Sequence, residues 1–446
     1  MPAALRILVC FLSLNILNLF GSVKSDSILV LIDEKANQDD YNQFWNSLKG
    51  RNHQVSFRST KSSTPTLTQF DQPAFQHLIV FCPTTKSFPP DLSPQSLVGF
   101  LEVGGNILFA GSTNISEYWR DFAREFDLDF DESSTAVVDH FQHLADDPTK
   151  IYANLDATPL IEDQVIIPPS VRKSSPPVLF RGIGHGLGKN PLLMSVLRAS
   201  PVAYSTEPQS SETDPNPFII GDEIGLISAL QTRHQSRISF VGSLDFFSDA
   251  FFTAEITLPG GKKSPTANKK IADLVTKWTF QESGVLRILS ATHSKINGEK
   301  EPKRYRVNEQ IDYKVDIQML QDGKWGPSPV DDIQLEFSML DPHLRVTLTP
   351  SKSSKGNYTT YSTVFRAPDR HGVFTFNLDY RRRNGLTHLK NDLQVSVTPL
   401  EHDQYERFIL SAYPYYAGAF SVWGSFIVFC IVWLTHSPAP VNKKTN

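Results

Sequence analysis

The longest uninterrupted apolar stretch of this chain lies near its carboxyl end. Residues 417–434 contain no charged side chain. A helix of about 18 residues spans about 27 Å, close to the thickness of a hydrocarbon core. Tyr413, Tyr415 and Tyr416 lie at one end and Trp433 at the other, as expected of rings that prefer the headgroup layer. We predict a transmembrane helix over residues 413–434 and a cytosolic tail over 435–446.

A second apolar run lies at the amino terminus. Arg6 precedes apolar residues 7–20, and small or polar residues follow as far as Ser25. This order is typical of a secretory signal peptide, with Val23 and Ser25 suited to the −3 and −1 positions of a cleavage site. We expect residues 1–25 to be removed and the chain up to the transmembrane helix to lie in a lumen.

Residues 26–284 alternate continuous apolar segments with segments of helical period. Strands are predicted at 27–32, 53–57, 77–81, 106–110, 164–167, 178–180, 225–230 and 238–241. Helices are predicted at 39–48, 96–103, 116–126 and 271–280. Strands that are apolar on both faces need cover on both faces. We predict an α/β lumenal domain with a doubly wound parallel sheet of the flavodoxin or amidotransferase-like kind.

Near residue 285 the hydrophobic period changes from 3.6 to 2. Apolar and polar residues alternate over 311–319, 333–339 and 374–380. Asp322-Gly323 and Asn384-Gly385 are typical hairpin turns. We predict an antiparallel β-sandwich of immunoglobulin-like size over 285–399. A juxtamembrane segment, 400–412, leads into the predicted span.

Small residues recur along one side of the predicted span. Ala417, Ser421 and Ser425 follow one another at four-residue spacing, and Gly424 lies beside them. Small side chains let two helices approach closely in a membrane, where lipid supplies no hydrophobic drive for association. We predict that this stripe packs against a partner helix, although such stripes also arise by chance in spans of this composition.

Composition excludes some function classes. The net charge is −4, the charged fraction is 20 %, and no polybasic tract occurs, which argues against nucleic-acid binding. Of the three cysteines, only Cys82 lies in the predicted lumenal part. No disulfide is therefore expected there. Cys82 ends an apolar strand and is interpreted as a buried, inert thiol.

No catalytic set assembles from the motifs. Ser112 and Ser243 each follow a glycine after a strand, but neither completes Gly-x-Ser-x-Gly. His140 and His143 lie near Asp139, Asp146 and Asp147, yet no third ligand follows at diagnostic spacing. We interpret that segment as a polar helix end or loop. From the residues alone we assign no catalytic, cofactor-binding or metal-binding residue.

Two further segments resemble ligand sites only weakly. Glycines alternate at 182, 184, 186 and 188, but they lie far from the first strand and no obvious helix follows. A flexible turn is the preferred interpretation over a phosphate cradle. Asp33 and Glu34 follow the first strand, and we interpret them as solvated or helix-capping carboxylates.

Short address and modification signals complete the pattern. Lys443 and Lys444 stand fourth and third from the carboxyl end and resemble the Lys-Lys-x-x signal for retrieval to the endoplasmic reticulum. Ordinary positive charge beside a span is the alternative, and it also implies a cytosolic tail. Asn114 and Asn357 begin N-glycosylation motifs in the predicted lumenal part.

Four long blocks together resemble the family of the oligosaccharyltransferase 48 kDa subunit. They are RISFVGSLDFFSDAFF (237–252), WGPSPVDDIQLEFSMLDPHLR (325–345), APDRHGVFTFNLDY (367–380) and YERFILSAYPYY (405–416). The resemblance runs from the signal through the span. It implies a subunit of the complex that transfers a preassembled oligosaccharide from dolichyl diphosphate to the Asn of Asn-x-Ser/Thr.

The resemblance also implies how the work is divided in that complex. Catalytic residues and a divalent metal belong to another, multi-spanning subunit. This chain is then a non-catalytic subunit required for assembly and full activity, without a cofactor of its own. It is expected to be a single-pass type I protein of the endoplasmic reticulum membrane, bound to other subunits, with the donor glycan as a candidate ligand.

Two other classes remain open. One is a lumenal carbohydrate- or lipid-diphosphate-binding module, for which saturable glycan binding is the discriminating observation. The other is a membrane-tethered hydrolase or amidotransferase-like enzyme, which would need a nucleophile such as Cys82 or Ser112.

Overall fold

The computed structural model describes residues 26–437 except 34–36, 70–71, 145–152, 156–164, 175–176, 208–218, 258–262, 297, 299, 352–356, 383–384 and 408. The predicted signal peptide, Glu34, Asp146, Asp147, Lys443 and Lys444 therefore lie outside the described residues. The expectations placed on them stay predictions.

Strands and helices alternate over the first two thirds of the chain. The strands are β1 (Ser27–Ile32), β2 (Gln54–Ser59), β3 (Thr68–Gln69), β4 (Gln72–Pro73), β5 (His77–Phe81), β6 (Asn106–Ala110), β7 (Leu128–Phe130), β8 (Ala136–Val138), β9 (Ala153–Leu155), β10 (Val178–Phe180), β11 (His185–Leu187), β12 (Leu193–Arg198), β13 (Tyr204–Thr206), β14 (Gly225–Gln231), β15 (Arg237–Val241), β16 (Glu255–Thr257) and β17 (Lys263–Pro265). The helices are α1 (Asn42–Gly50), α2 (Pro94–Glu102), α3 (Glu117–Arg124), α4 (Pro169–Ser174), α5 (Asp249–Thr253) and α6 (Asn268–Thr279). Short 3-10 turns occupy Gln38–Tyr41, Pro90–Leu92, Gly221–Glu223 and Asp245–Phe247.

A nine-stranded mixed sheet organises this region, in the order β2-β1-β5-β6-β15-β14-β11-β7 with β12 also paired to β14. The pairs from β2 to β15 are parallel. Those from β15 to β7, and that of β12, are antiparallel. The α/β character is confirmed, but the wholly parallel sheet is wrong. Only the short turn 232–236 joins β14 to β15, closed by the Thr232 N–H donating to the Ser236 carbonyl, and so short a link cannot return the chain in parallel. The strand predicted at 164–167 is also wrong, because 165–167 form a turn.

Helices cover both faces of the sheet. Side chains alternate along β1, so Ile28 and Val30 join a core with α1 and α6, whereas Leu29 and Leu31 join a second core with α2 and α3. The inner strands β1, β5 and β6 are therefore apolar on both sides, with one face in each core. This explains why β1, β5 and β6 have continuous apolar sequences.

The carboxyl-terminal region is rich in β-strands, as predicted. Its strands are β18 (Val285–Lys295), β19 (Arg304–Arg306), β20 (Gln310–Gln321), β21 (Lys324–Pro327), β22 (Gln334–Ser338), β23 (Pro342–Thr347), β24 (Thr349–Pro350), β25 (Thr359–Arg366), β26 (Gly372–Tyr380) and β27 (Leu389–Thr398). They form two five-stranded sheets that share one core. All pairs are antiparallel except β19 with β27. Asp322 and Gly323 have φ of 50° and 71° and close the β20–β21 hairpin, as their sequence predicts.

One helix follows the strands. Residues 410–412 form a 3-10 turn, and α7 (Tyr413–Thr435) runs for 23 residues without a buried side chain. The predicted helix over 413–434 is thus confirmed to within one residue. Pro414 occupies its first turn, where a missing N–H group costs nothing.

A buried arginine joins the sheet to the β-rich region. Arg237, in β15, is fully buried. Its Nη1 donates to the carbonyls of Trp278 and Ser283, both at 2.7 Å. Its Nη2 donates to the carbonyls of Gly284 at 2.9 Å and Gly385 at 3.1 Å. The guanidinium therefore ties together the end of α6, the link to β18 and the loop before β27.

The surroundings of Arg237 tolerate its charge. Its guanidinium lies 4.7 Å from the Trp278 ring centroid, and its Nε donates to Gln231 at 3.1 Å. Burial lowers the pKa of Arg237 to about 9, so the group stays charged at neutral pH. Gly385 has a φ of 73°, and a Cβ there would lie 3.0 Å from the Trp278 indole nitrogen, which donates to the Gly385 carbonyl. Only glycine fits this junction without strain.

Replacing Arg237 by Met should destabilise the protein. The change removes all five hydrogen bonds and leaves the Ser283 carbonyl and the Gln231 side-chain oxygen without a donor among the described residues, each costing about 1–3 kcal/mol. We expect the free energy of unfolding of the detergent-solubilised full chain to fall by about 3 kcal/mol or more. The exposed Arg198→Met is the control, with a change of about 0.5 kcal/mol or less expected. Equal losses in the two variants would contradict the role of Arg237.

Candidate functional site

The most exposed apolar surface of the described chain is the helix α7. Within the described residues one helical segment, Leu410–Thr435, is long and apolar enough to cross a membrane, and none of it is buried. Phe420, Trp423, Phe426 and Trp433 are all exposed. A water-soluble fold cannot leave such a surface uncovered. The helix therefore needs a membrane, a partner or both.

The predicted packing stripe lies on one side of α7. Ala417, Ser421, Gly424 and Ser425 share that side because of the 3.6-residue period. The Ser421 hydroxyl donates to the Gly418 carbonyl and the Ser425 hydroxyl to the Ser421 carbonyl, both at 2.8 Å. These hydroxyls are satisfied within the helix, which suits a lipid environment. The packing role itself stays a prediction.

The glycine-rich segment lies in the sheet and beside a cleft. Gly186 belongs to β11, so the interpretation of this segment as a flexible turn is wrong there. A Cβ at Gly182 would lie 2.2 Å from the Gly242 carbonyl, and one at Gly188 would lie 2.2 Å from the Asp127 carboxyl group. These glycines permit close packing of backbone against neighbouring groups. No phosphate is needed to explain their spacing.

The cleft beside this segment has a volume of about 900 Å³. Its charged lining comprises two arginines and four carboxylates: Arg124, Arg198, Asp127, Asp129, Asp222 and Glu223. Arg124 is already paired with Glu117, Asp121 and Asp129. The lining carries more negative than positive charge, which disfavours a diphosphate and suits a neutral, hydroxyl-rich ligand.

The nucleophile candidates have structural environments. Cys82 is fully buried, and burial raises the pKa of its thiol well above its usual value. The Ser243 hydroxyl donates to the Arg181 carbonyl and accepts from the Phe246 N–H group. The buried Ser112 Oγ has no hydrogen-bond partner among the described residues, so no base activates it there. None of the three combines access with activation.

The histidine and carboxylate candidates are likewise explained by local structure. His140 stacks on Tyr204 and lies 2.7 Å from its hydroxyl. Asp139 accepts from the N–H groups of Phe141 and Gln142, so it caps a loop, as expected. His143 lies in the same loop. Asp33 accepts from the Thr84 hydroxyl.

Sequence reasoning missed two histidine sites. His185 and Ser228 lie 2.6 Å apart in neighbouring strands, both fully buried, so no substrate reaches this pair. Burial lowers the pKa of His185 to about 3. His53 and His77 meet Asp26 at the edge of the sheet. The available signal was positional, because His53 and His77 each begin a predicted strand.

The glycosylation candidates are accessible only in part. Asn114 and Asn357 are both exposed. The hydroxyls of their motifs are not: Ser116 donates to the Thr85 carbonyl at 2.7 Å, and Thr359 donates to the Ser328 carbonyl at 2.9 Å. Both residues are buried. Modification stays a prediction, and it would have to precede the folding of these segments.

Comparison with known proteins matches both regions. A family model described as the OST48 N-terminal domain matches residues 20–282, and one described as the OST48 middle domain matches residues 293–437. Three relatives carry the name dolichyl-diphosphooligosaccharide–protein glycosyltransferase 48 kDa subunit. That of Caenorhabditis elegans is 39 % identical over 432 residues, covering 95 % of this chain and 94 % of the relative. That of Danio rerio is 38 % identical, with 91 % of each chain covered. That of Drosophila melanogaster is 36 % identical, covering 94 % of this chain and 93 % of the relative.

A solved structure of a ThuA-like protein from Parabacteroides merdae is also similar. It covers 58 % of this chain and 90 % of its own, with 12 % identity and a TM-score of 0.30. A score this low supports no argument about the fold.

His185 predicts a pH dependence of stability. Its pKa is lower in the folded state than in the unfolded chain, so the unfolded chain binds more protons between about pH 6.5 and 3. The contribution of neutral His185 to the free energy of unfolding is complete above about pH 6.5. It decreases by about 1.4 kcal/mol for each pH unit below that value. We expect His185→Gln to flatten the slope of unfolding free energy between about pH 6 and 4. The exposed His371→Gln should leave the slope unchanged, and equal slopes for wild type and His185→Gln would contradict the assignment.

Proposed function

The chain belongs to the family of the 48 kDa subunit of dolichyl-diphosphooligosaccharide–protein glycosyltransferase, and from that premise we propose that it is a non-catalytic, membrane-anchored scaffold of this oligosaccharyltransferase. The complex transfers preassembled oligosaccharide from dolichyl diphosphate to Asn in Asn-x-Ser/Thr. In this proposal another, multi-spanning subunit performs the chemistry, and this chain holds neighbouring subunits in position.

The observation that carries the scaffold proposal is the exposed helix. α7 contributes no side chain to a core of its own chain, so its apolar surface is available to lipid and to other membrane helices. The family places the protein in the endoplasmic reticulum membrane. We propose a type I orientation, with residues 26–412 in the lumen and 435–446 in the cytosol. The exposed Tyr405, Ile409 and Leu410 are proposed to extend the contact surface beyond the membrane.

The proposal extends to the fold of each lumenal domain and to the boundary between the two domains. We propose an α/β domain over 26–284 whose parallel part is doubly wound and flavodoxin-like, and a sandwich domain over 285–399. The order β2-β1-β5-β6-β15 and the helices on both faces support the first. Separate cores support the boundary. In such a chain the rigid lumenal part sets the position of any surface relative to the anchor.

Bulk on the small-residue stripe should weaken assembly. Ser421→Leu enlarges the side where a partner helix is proposed to approach, and we expect a loss of about 1 kcal/mol, or roughly fivefold, in association. The measurement is recovery of the multi-spanning subunit and of glycan transfer to an Asn-x-Thr peptide after mild-detergent purification of the tagged full chain. Phe426→Leu, on the opposite side, is the matched control. Equal recovery from both variants would argue against the stripe, and purification of wild type alone and inactive would argue against the scaffold.

A non-catalytic role predicts that the nucleophile candidates are dispensable. Cys82→Ala and Ser112→Ala should leave the transfer rate unchanged when it is expressed per fully assembled complex, because neither side chain touches the reacting groups in the proposed arrangement. A large loss of rate in an intact, fully assembled complex would refute the proposal and favour the hydrolase or amidotransferase-like alternative.

A carbohydrate-binding module is the second candidate function, and the cleft near Gly186 favours it. An open cleft with mixed guanidinium and carboxylate groups matches sugar hydroxyls, which both donate and accept hydrogen bonds. Arg198→Ala is predicted to weaken saturable binding of a neutral oligosaccharide by the full chain about tenfold, as expected for loss of a charged hydrogen bond. Arg345→Ala, on the β-rich region, is the control. Absence of saturable binding by wild type would remove this candidate.

A further inference from the structure

Three metal-binding side-chain types meet at the amino-terminal ends of neighbouring strands. Asp26 precedes β1, His53 precedes β2, and His77 begins β5. β1 lies between the other two strands, and its register pairs Ser27 with Gln54 and Ile28 with His77. The parallel register therefore brings the three residues together. One potential ligand atom from each lies within 4.8 Å of the other two.

Both histidines have an unsatisfied nitrogen in this cluster. His53 and His77 are only 6 % and 3 % exposed. Within the described part of the chain, His53 Nδ1 and His77 Nε2 are buried without a hydrogen-bond partner. His77 Nε2 lies 3.8 Å from Asp26 Oδ2, which is too long for a hydrogen bond. Each such group costs about 1–3 kcal/mol unless something else binds to it.

The surrounding groups orient the imidazoles and exclude solvent. His53 Nε2 lies 2.8 Å from Glu282 Oε1, and Glu282 is also paired with Arg51 at 2.8 Å. A carboxylate on the far nitrogen of an imidazole is the usual support of a metal-binding histidine. The Phe280 ring stacks on His77 at 4.5 Å and meets the His53 ring edge-to-face at 5.9 Å.

We propose that Asp26, His53 and His77 form a binding site for a divalent transition-metal ion, best matched by Zn²⁺. Two imidazoles and one carboxylate suit zinc, whereas Mg²⁺ and Ca²⁺ prefer oxygen ligands. Zinc–ligand distances of about 2.0–2.2 Å require ligand atoms about 3.3 Å apart. The ligand atoms, which lie within 4.8 Å of one another, must therefore approach by up to about 1.5 Å when the ion binds.

Asn106 limits the affinity of this site. Its Oδ1 accepts from the Arg237 backbone N–H at 2.8 Å and from Gln281 at 3.1 Å, which leaves its amide nitrogen 3.2 Å from His77 Nδ1. A neutral imidazole bound to metal through Nε2 carries its proton on Nδ1. That proton would meet an N–H donor, so either ring or amide must shift. The site is accordingly one of moderate affinity, loaded when metal is available.

The proposed ion would link the amino-terminal ends of β1, β2 and β5 to each other. Through Glu282 and Phe280 it would also contact the segment that follows α6, close to the carbonyls bound by Arg237. Its role is structural, because binding to the folded chain stabilises it by mass action. This inference does not depend on the proposed role in glycan transfer.

The test is titration of the chelator-treated, detergent-solubilised full chain with Zn²⁺ alone. We measure zinc retained per chain by atomic emission and the midpoint of thermal unfolding. Saturable uptake and a rise in the midpoint are expected with Zn²⁺ and not with Mg²⁺. His53→Gln and His77→Gln should abolish saturable uptake, and Glu282→Gln should weaken it about 10–100-fold. The exposed His371→Gln is the control and should behave as wild type.

Asn106→Asp distinguishes the proposal from a merely structural histidine cluster. An aspartate keeps the acceptor for Arg237 and adds an acceptor for a proton on His77 Nδ1, so zinc should bind this variant about 10-fold more tightly or better. Zinc uptake by the His53→Gln/His77→Gln double variant equal to wild type would overturn the proposal, as would no saturable uptake by either wild type or Asn106→Asp. Asp26→Asn guards against folding defects: if its metal-free unfolding midpoint matches wild type and it still binds zinc as wild type does, Asp26 is not a ligand.

Discussion

One buried positive charge determines how this molecule is held together. The Nη atoms of Arg237 donate to carbonyl oxygens of three separate segments, and within the described residues the guanidinium donates to no carboxylate. A charge taken out of water is costly unless all its donors are used. The arrangement is stable only when the end of α6, the link at 283–284 and the loop at 385 are all in place. Folding of the sheet region and of the β-rich region is therefore coupled at this point.

This coupling restricts movement between the two regions that precede the membrane helix. A helix in the membrane fixes the height of the residues beside it, and the β-rich region lies next to that helix in the chain. Because Arg237 and Gln231 both bind the loop at 385–386, the sheet cannot rotate freely on the β-rich region. The sheet region and the β-rich region are therefore held in one relative orientation by these contacts.

Local patterns predicted much of this fold, and their limits have physical reasons. The continuous apolar sequences of β1, β5 and β6, the alternation in β20 and β26, and the uncharged α7 each follow from local burial. Strands β7 and β11 of the antiparallel part were missed because three residues are too few to show a period. Strands β14 and β15 were predicted, but their antiparallel pairing was not. The role of Arg237 was invisible, because its partners lie up to 148 residues away and are backbone carbonyls. The cluster of His53, His77 and Asp26 depends on strand register, which no single segment encodes.

The buried hydroxyls of Ser116 and Thr359 limit when a newly synthesised chain can be glycosylated. A transferase that needs the motif hydroxyl can modify Asn114 or Asn357 only while the chain is still unfolded. A newly made chain would then be a substrate of complexes assembled before it, and the complex that it later joins could not modify it. Any glycan on these two asparagines would therefore show that active enzyme was already present in the membrane where the chain was synthesised.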